Sequence, residues 1–295
     1  MRLLGVGDNV VDRYRHLGLM FPGGQALNVA VAARRSGAEA GYLGAIGTDT
    51  AGRHVLDALR AEGLDIERLR IIPGPNAYAD VEVRDGDRVF VGSSVGVSRF
   101  HLTAEDLAYA STFDIVHSSE SSGLEDDIPA LARRVPVSFD FATHREPGYL
   151  RALLPYLTVA CFSASDLDDS DAEAFLRQTV AQGPRLALAT RGSADALLAD
   201  GDRVWRQPAI AVDVVDTLGA GDAFTGRLLV GVISGEALRD AMTAAAEVAA
   251  EACQSFGAFG HPAPYAPPGA GEEVRTVNEE TDMPGDHGMA VAEPS

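Results

Sequence analysis

The sequence predicts a three-layer α/β/α domain carrying a small β-sheet lid, and three observations lead there. Short apolar runs alternate with stretches of helical period along most of the 295 residues, the pattern of a mostly parallel sheet covered by helices on both faces. Near residue 80 that pattern breaks: Val81-Glu82-Val83-Arg84 and Asp87-Arg88-Val89-Phe90 alternate around Asp85-Gly86, a hairpin signal that reads as a separate sheet at one edge. Strand and helix then alternate again, so the hairpin is an excursion and not a domain boundary. With 46% hydrophobic residues the chain can fill a large core.

Each element has its own reason. Residues 2–7 read as a buried strand. A helix over 25–35 follows Gly23-Gly24, with Leu27, Val31 and Ala32 in helical spacing and Gly37 as its stop. A strand at 40–46 and a helix at 50–62, ended by Gly63, come next. The lid is expected from about residues 10–16 and 77–98, with Val81, Val83, Val89 and Val91 as an apolar face that a second copy would cover. Strands are then expected at 114–118, 135–141, 158–162 and 186–190. Helices begin near Thr103, Glu125, Pro147 and Ser170, and Asp106 three residues after Thr103 makes a near capping box. A second Asp-Gly hairpin spans 196–205 around Asp200-Gly201. The alternation Ile210-Ala211-Val212-Asp213-Val214-Val215 reads as a strand entering a glycine turn, and helices at 220–234 and 237–255 close a domain that ends near 261.

Composition removes several function classes. All 24 basic residues are arginine. A P-loop, whose lysine reaches the phosphates, is therefore excluded, as is Schiff-base chemistry. A net charge of −19 argues against nucleic acid or an anionic membrane as partner. Of that charge, −6 lies in residues 262–295, an acidic Pro/Gly-rich tail expected to be disordered, and −13 in the rest. Cys161 and Cys253 have no metal-ligand spacing and read as buried free thiols. No apolar run reaches the roughly 18–20 residues of a membrane span. The N-terminus meets a carboxylate at Asp8 too soon for a secretory signal, so the expected compartment is the cytoplasm.

The stretch Asp216-Thr217-Leu218-Gly219-Ala220-Gly221-Asp222 is the most informative in the chain. Three small residues at a helix start leave backbone N–H groups uncovered at its positive end, which suits a phosphate or a developing oxyanion. A carboxylate at Asp222 would repel a bare phosphate. It fits a group that takes a proton from a hydroxyl attacking phosphorus.

Together with Gly23-Gly24-Gln25-Ala26-Leu27-Asn28, this stretch resembles the paired signatures of the ribokinase/PfkB carbohydrate kinases, over residues 1 to about 261. Within that family, Gly7 to Asp12, Phe21 to Val31, Asp87 to Phe90, Phe113 to His117, Phe139-Asp140-Phe141 and Trp205-Arg206-Gln207 are most similar to the fructoselysine 6-kinases. The resemblance implies a ribokinase-like fold, ATP and Mg2+ as cofactors, and a homodimer formed through the lid. It implies Asp222 as catalytic base and the amides of Gly219, Ala220 and Gly221 as an anion hole. Asp12, Gly23, Gly24 and Asn28 would hold the sugar, with Asp8 and Asn9 close by. Thr190, Gly192, Thr217, Gly219, Gly221 and Gly257 would line the nucleotide.

The chain departs from the family at two places. An Asn-x-x-Glu ahead of the nucleotide loop is replaced by Ser163-Ala164-Ser165-Asp166-Leu167-Asp168-Asp169, leaving Asp166 and Asp168 as candidate metal ligands. Asp195 stands where the nucleotide loop usually has a second glycine. The readings that follow are a kinase acting on the 6-hydroxyl of a fructosamine, a kinase for a simple ketose, ribose or nucleoside, and an idle sugar- or nucleotide-binding protein on the same scaffold. A nicotinamide-dependent oxidoreductase is excluded, because Gly5-Val6-Gly7-Asp8 lacks the third glycine of the dinucleotide fingerprint. A fructosamine brings ammonium groups, for which Asp8, Glu82, Glu120 and Asp140 are the acids to consider.

Overall fold

The computed structural model describes residues 1–84 and 87–265, with backbone alone for residues on either side of the 85–86 turn. In chain order the elements are β1 (Arg2–Gly7), β2 (Val10–Tyr14), β3 (Leu19–Gly23), α1 (Gln25–Arg35), β4 (Glu39–Gly47), α2 (Thr50–Ala61), β5 (Arg70–Ile72), β6 (Tyr78–Arg84) and β7 (Asp87–Ser94). There follow α3 (Ala104–Ala110), β8 (Ile115–Ser119), α4 (Ile128–Ala132), β9 (Val137–Asp140), α5 (Pro147–Leu153), β10 (Val159–Ser163), α6 (Asp169–Val180) and β11 (Leu186–Thr190). The last are β12 (Ala196–Asp200), β13 (Arg203–Gln207), α7 (Ala220–Ser234), α8 (Leu238–Ala252) and β14 (Ala263–Pro264).

A nine-stranded sheet in the order β13-β12-β11-β10-β9-β8-β1-β4-β5 forms the middle layer. It is parallel from β11 to β5, and the β11–β12–β13 meander, turning at Asp200-Gly201, is antiparallel. Because side chains alternate across a strand, each strand feeds two cores. Leu3, Ile115, Val159 and Leu188 meet α1, α2, α7 and α8 on one face. Leu4, Val116, Phe139 and Ala187 meet α3 to α6 on the other. This is the three-layer arrangement the alternation of elements calls for.

Locally encoded features appear where the sequence puts them. Thr103 caps α3, and the box closes as its hydroxyl accepts from the Asp106 amide at 3.2 Å while Asp106 accepts from the Thr103 amide at 2.9 Å. The lid is a second sheet, β14-β3-β2-β6-β7, so the 78–94 hairpin stands outside the main sheet. Two of its members were not anticipated. Leu19–Gly23 forms β3, and Ala263–Pro264, beyond the expected domain end at 261, pairs with Met20 and Leu19. The 266–295 tail lies outside the described residues. Among those described, no helix is long and apolar enough to cross a membrane.

The expected strand over 210–215 is absent. Pro208 offers no amide at its start and no strand among the described residues pairs with the segment, so residues 208–215 run irregularly, with Val214 60% and Val215 47% exposed. Val81 also departs from expectation. It is fully buried inside its own chain against Tyr14 and Phe21, Val91 is half-buried, and the side chains of Val83 and Val89 lie outside the described residues.

Candidate active site

Parallel sheets gather chemistry at the carboxyl ends of their strands. Here β1 ends into Asp8, β8 into Glu120, β9 in Asp140 and β11 in Thr190, and the amino end of α7 lies beside Thr190, where a Cβ on Gly221 would stand 3.5 Å from its Oγ1. α7 starts from Gly219, a left-handed residue (φ 76°) with no side-chain cap. A Cβ there would stand 2.4 Å from Cβ of Ala258, so glycine is required both for the turn and for the close approach. The Ala220 amide leans to the Thr217 carbonyl at 3.3 Å, while those of Gly219, Gly221 and Asp222 have no partner among the described residues. One of the three expected anion-hole donors is thus partly engaged, and the Asp222 amide joins the set.

Asp222, in the first turn of α7, accepts a 2.7 Å hydrogen bond from Asn28 Nδ2 of α1. Burial pushes its carboxyl well above the usual carboxylate range, the Asn28 bond pulls it back, and the charges of Asp140, Asp8 and Asp12 raise it further. A carboxylate so raised is a stronger proton acceptor than an exposed one. Oδ1 of Asn28 is buried and has no partner among the described residues. Asp12 is buried in the lid strand β2, with Oδ2 2.4 Å from where a Gly23 Cβ would stand. Gly24 (φ 113°) caps α1, and a side chain there would strike Asn9 and Asp8. Asn28 by its hydrogen bond and Asp12 by its charge thus both bear on Asp222.

Asp8 and Asn9 are placed differently from the expected pair beside the sugar. Asp8 acts as the cap of α1, accepting from the amides of Gln25 (2.8 Å) and Ala26 (3.2 Å) and from the hydroxyls of Ser119 and Ser122 (3.0 Å each). Asn9 is fully buried and donates to Tyr42 Oη (3.2 Å) and the Ala45 carbonyl (2.7 Å). Asp140 holds the Ala142 amide at 2.7 Å, and burial, with the charges of Glu120 and Asp8, raises its carboxyl to about 6.

A cleft of about 630 Å³ opens on the other side of the turn, with Thr190, Gly192, Thr217 and Gly221 in its lining. The irregular 208–214 segment supplies an apolar wall, which is why its apolar residues were there to be misread. Cys253 lines the cleft half-buried, whereas Cys161 is fully buried, so only the latter matches the expected buried thiol. Gly257 is not in this lining. Its positive φ lets the chain pass against the Phe21 ring, 2.7 Å from where a Cβ would stand. Asp195 pairs with Arg206 (3.9 Å). Arg191, almost wholly buried, ties the loop to Asp169 at 2.8 Å.

The candidate metal ligands do not assemble. Asp166 is bound by both guanidinium nitrogens of Arg145 (2.7 and 2.8 Å), whose hydrogen bonds hold its carboxyl at about 2. Asp168 caps α6 by accepting from the Asp171 amide at 2.9 Å. Among the described residues no three His, Cys, Asp or Glu side chains cluster as a metal site. Neither carboxylate fits a magnesium ligand in this arrangement.

Tyr14 and Asp216 complete the site and escape sequence reasoning as side chains. Asp216 accepts from Tyr14 Oη across 202 residues, from the Leu218 amide (3.0 Å) and from the Gly257 amide (3.1 Å). An Asp accepting from the amide two residues on is a legible turn signal; the long-range tyrosine is not.

Comparison with known proteins bears on the family and the fold. The pfkB family of carbohydrate kinases matches residues 11–264. The chain is 42% identical to fructosamine kinase FrlD of Bacillus subtilis, over 94% of this chain and 99% of that protein. It is 34% identical to fructoselysine 6-kinase of Escherichia coli, over 87% and 99%. Among solved structures, Arabidopsis thaliana ribokinase with ribose and ATP superposes with a TM-score of 0.76 at 20% identity, covering 87% of this chain and 94% of that one. Fructokinase with bound ATP from Xylella fastidiosa gives 0.73 at 22%, covering 88% and 94%. With a family match over most of its length and a relative at this identity, the chain belongs to the pfkB family of carbohydrate kinases.

Proposed function

We propose that this chain is an ATP-dependent kinase for the 6-hydroxyl of a fructosamine such as fructoselysine. The observation that carries the kinase reading is Asp222, raised by burial and steered by Asn28, in the first turn of an uncapped helix whose Gly221 lines a cleft. The attacking hydroxyl gives its proton to Asp222 as its oxygen bonds to the γ-phosphorus, the bond from that phosphorus to the bridging oxygen breaks and ADP leaves with the electron pair, and the α7 amides hold the charge that gathers on the transferred group. Asn28 fixes the carboxylate through Nδ2 and offers Oδ1 to a sugar hydroxyl, alongside Asp12 and the Gly23-Gly24 backbone. Thr190, Gly192 and Thr217 line the cleft that fits the nucleotide. Mg2+ would arrive on the phosphates, since Mg2+ keeps several waters and takes few protein ligands.

The fructosamine assignment is supported by the relatives named above and by local charge. Asp140, Asp8 and Asp12 lie near enough to Asp222 to raise it, a concentration of carboxylates that a substrate ammonium would relieve. ADP release with fructoselysine, other Amadori products of amino acids, fructose and ribose tests both parts. Fructosamines are expected to lead in kcat/KM. Fructose or ribose ahead by tenfold, about 1.4 kcal/mol of transition-state binding, would replace the assignment with the simple-sugar reading. Use of ATP implies a cytoplasmic setting. A homodimer is proposed through the lid, because β7 ends that sheet as an edge strand; a monomeric mass at micromolar concentration counts against it.

A further inference from the structure

We infer that Tyr14 is a positioning residue that links sugar binding under the lid to the shape of the nucleotide turn, acting through Asp216. Tyr14 is the last residue of β2, almost fully buried, and its hydroxyl donates to Asp216 Oδ2. The same oxygen accepts from the Gly257 amide, and Oδ1 accepts from Leu218, the residue before Gly219. One carboxylate therefore joins the lid, the turn that presents the α7 amides, and the loop around 257.

These three segments also touch without slack. A Cβ on Gly219 would meet Ala258, and a Cβ on Gly257 would meet the ring of Phe21 in the lid. The Tyr14 ring packs edge-on to Phe21 (centroids 5.2 Å apart) and to Phe256 (6.0 Å). Lid, Asp216, turn and loop form a closed ring of contacts, so a shift of β2 must be passed on. The sugar side enters through Asp12, two residues before Tyr14 and on the same face of β2. A sugar that fixes Asp12 fixes the strand, the strand fixes the Tyr14 hydroxyl, and the hydroxyl fixes Asp216.

Linkage then requires that sugar raise nucleotide affinity and that nucleotide raise sugar affinity by the same factor. The inference rests on the kinase reading of the site and not on the identity of the sugar. The kinase reading fails on turnover in the sugar panel; this one fails on a ratio. The test measures ATP KM at limiting and saturating fructoselysine, or the panel sugar with the higher kcat/KM, in the wild type and in Tyr14→Phe. The variant keeps both ring contacts and removes one hydroxyl. In the wild type the ratio should be at least about fivefold. In Tyr14→Phe it should fall toward one, while the Kd for ATP without sugar changes less than about twofold. A variant ratio within twofold of the wild type, or a wild-type ratio of one, overturns the inference. Should the variant unfold, hydrogen exchange on the wild type decides. Sugar alone should protect the amides of residues 216–222 and 255–259, and unchanged exchange there also overturns it.

Discussion

Two glycines two residues apart should respond oppositely to the same methyl group. At Gly219 the backbone is left-handed, a region that costs an L side chain about 1–2 kcal/mol. The new Cβ would also lie 2.4 Å from Ala258 Cβ and 2.8 Å from its Cα. Relief of an overlap with Ala258, which has no flexible side chain to swing aside, costs typically ~1–3 kcal/mol. Gly219→Ala should therefore lose about 2–5 kcal/mol, or on the order of 5–15 °C in Tm for a domain of this size. Because the turn must move to relieve the overlap, kcat should fall as well. At Gly221 the backbone is helical and a Cβ meets only Thr190 Oγ1 at 3.5 Å, an ordinary contact. Gly221→Ala gains helix propensity of about 1 kcal/mol, so Tm should hold or rise. Its methyl group stands in the lining of the nucleotide cleft, so KM for ATP should rise. Thermal unfolding with steady-state ADP release on both variants is the assay. Equal Tm and equal kinetics for the two would refute the geometry argued for the turn.

Other expectations follow from single residues. Ala142 sits at φ 49°, stabilised there by Asp140 and by its carbonyl bond to Ser163 N, so Ala142→Gly should raise stability by about 0.5–1 kcal/mol in urea unfolding; a loss would show the strain is absent. Asp140, raised from 3.8 to about 6, favours the fold fully below pH ~4 as the neutral acid, and that contribution is lost as pH rises through 6. Asp140→Asn, which keeps an acceptor for Ala142, should gain on the wild type between pH 4 and pH 7 by up to about 3 kcal/mol, and parallel stability curves would contradict this. The raised Asp222 should make kcat/KM fall with acid at a higher pH than an ordinary carboxylate would; a rate flat down to pH 5 would argue against its role as base.

How much could be read beforehand depended on whether the cause was local. The Thr103–Asp106 box and the Asp200-Gly201 hairpin are decided within a few residues, and they stand where expected. Short apolar runs predicted most of the buried strands, because both faces of the sheet are covered. The same rule misread 210–215, where the apolar residues line a cleft and no strand among the described residues pairs with them. At the site, residue type indicated the chemistry but not the neighbour. Asp8, Asp166 and Asp168 are carboxylates in plausible places, and only tertiary structure shows that two cap helices and one pairs with Arg145. Tyr14 carried no signal at all, since its meaning lies in Asp216, 202 residues away.

The central claim is that Asp222 accepts the proton of the attacking hydroxyl, and Asp222→Asn tests it most directly. The amide keeps an oxygen for Asn28 Nδ2 and removes a charge the fold disfavours, so Tm should be held or raised. Single-turnover and steady-state ADP release should show kcat lower by on the order of 10²–10⁴, the worth of a positioned base, with KM for sugar and ATP little changed. Turnover within a few-fold of the wild type in a folded Asp222→Asn protein would contradict the account.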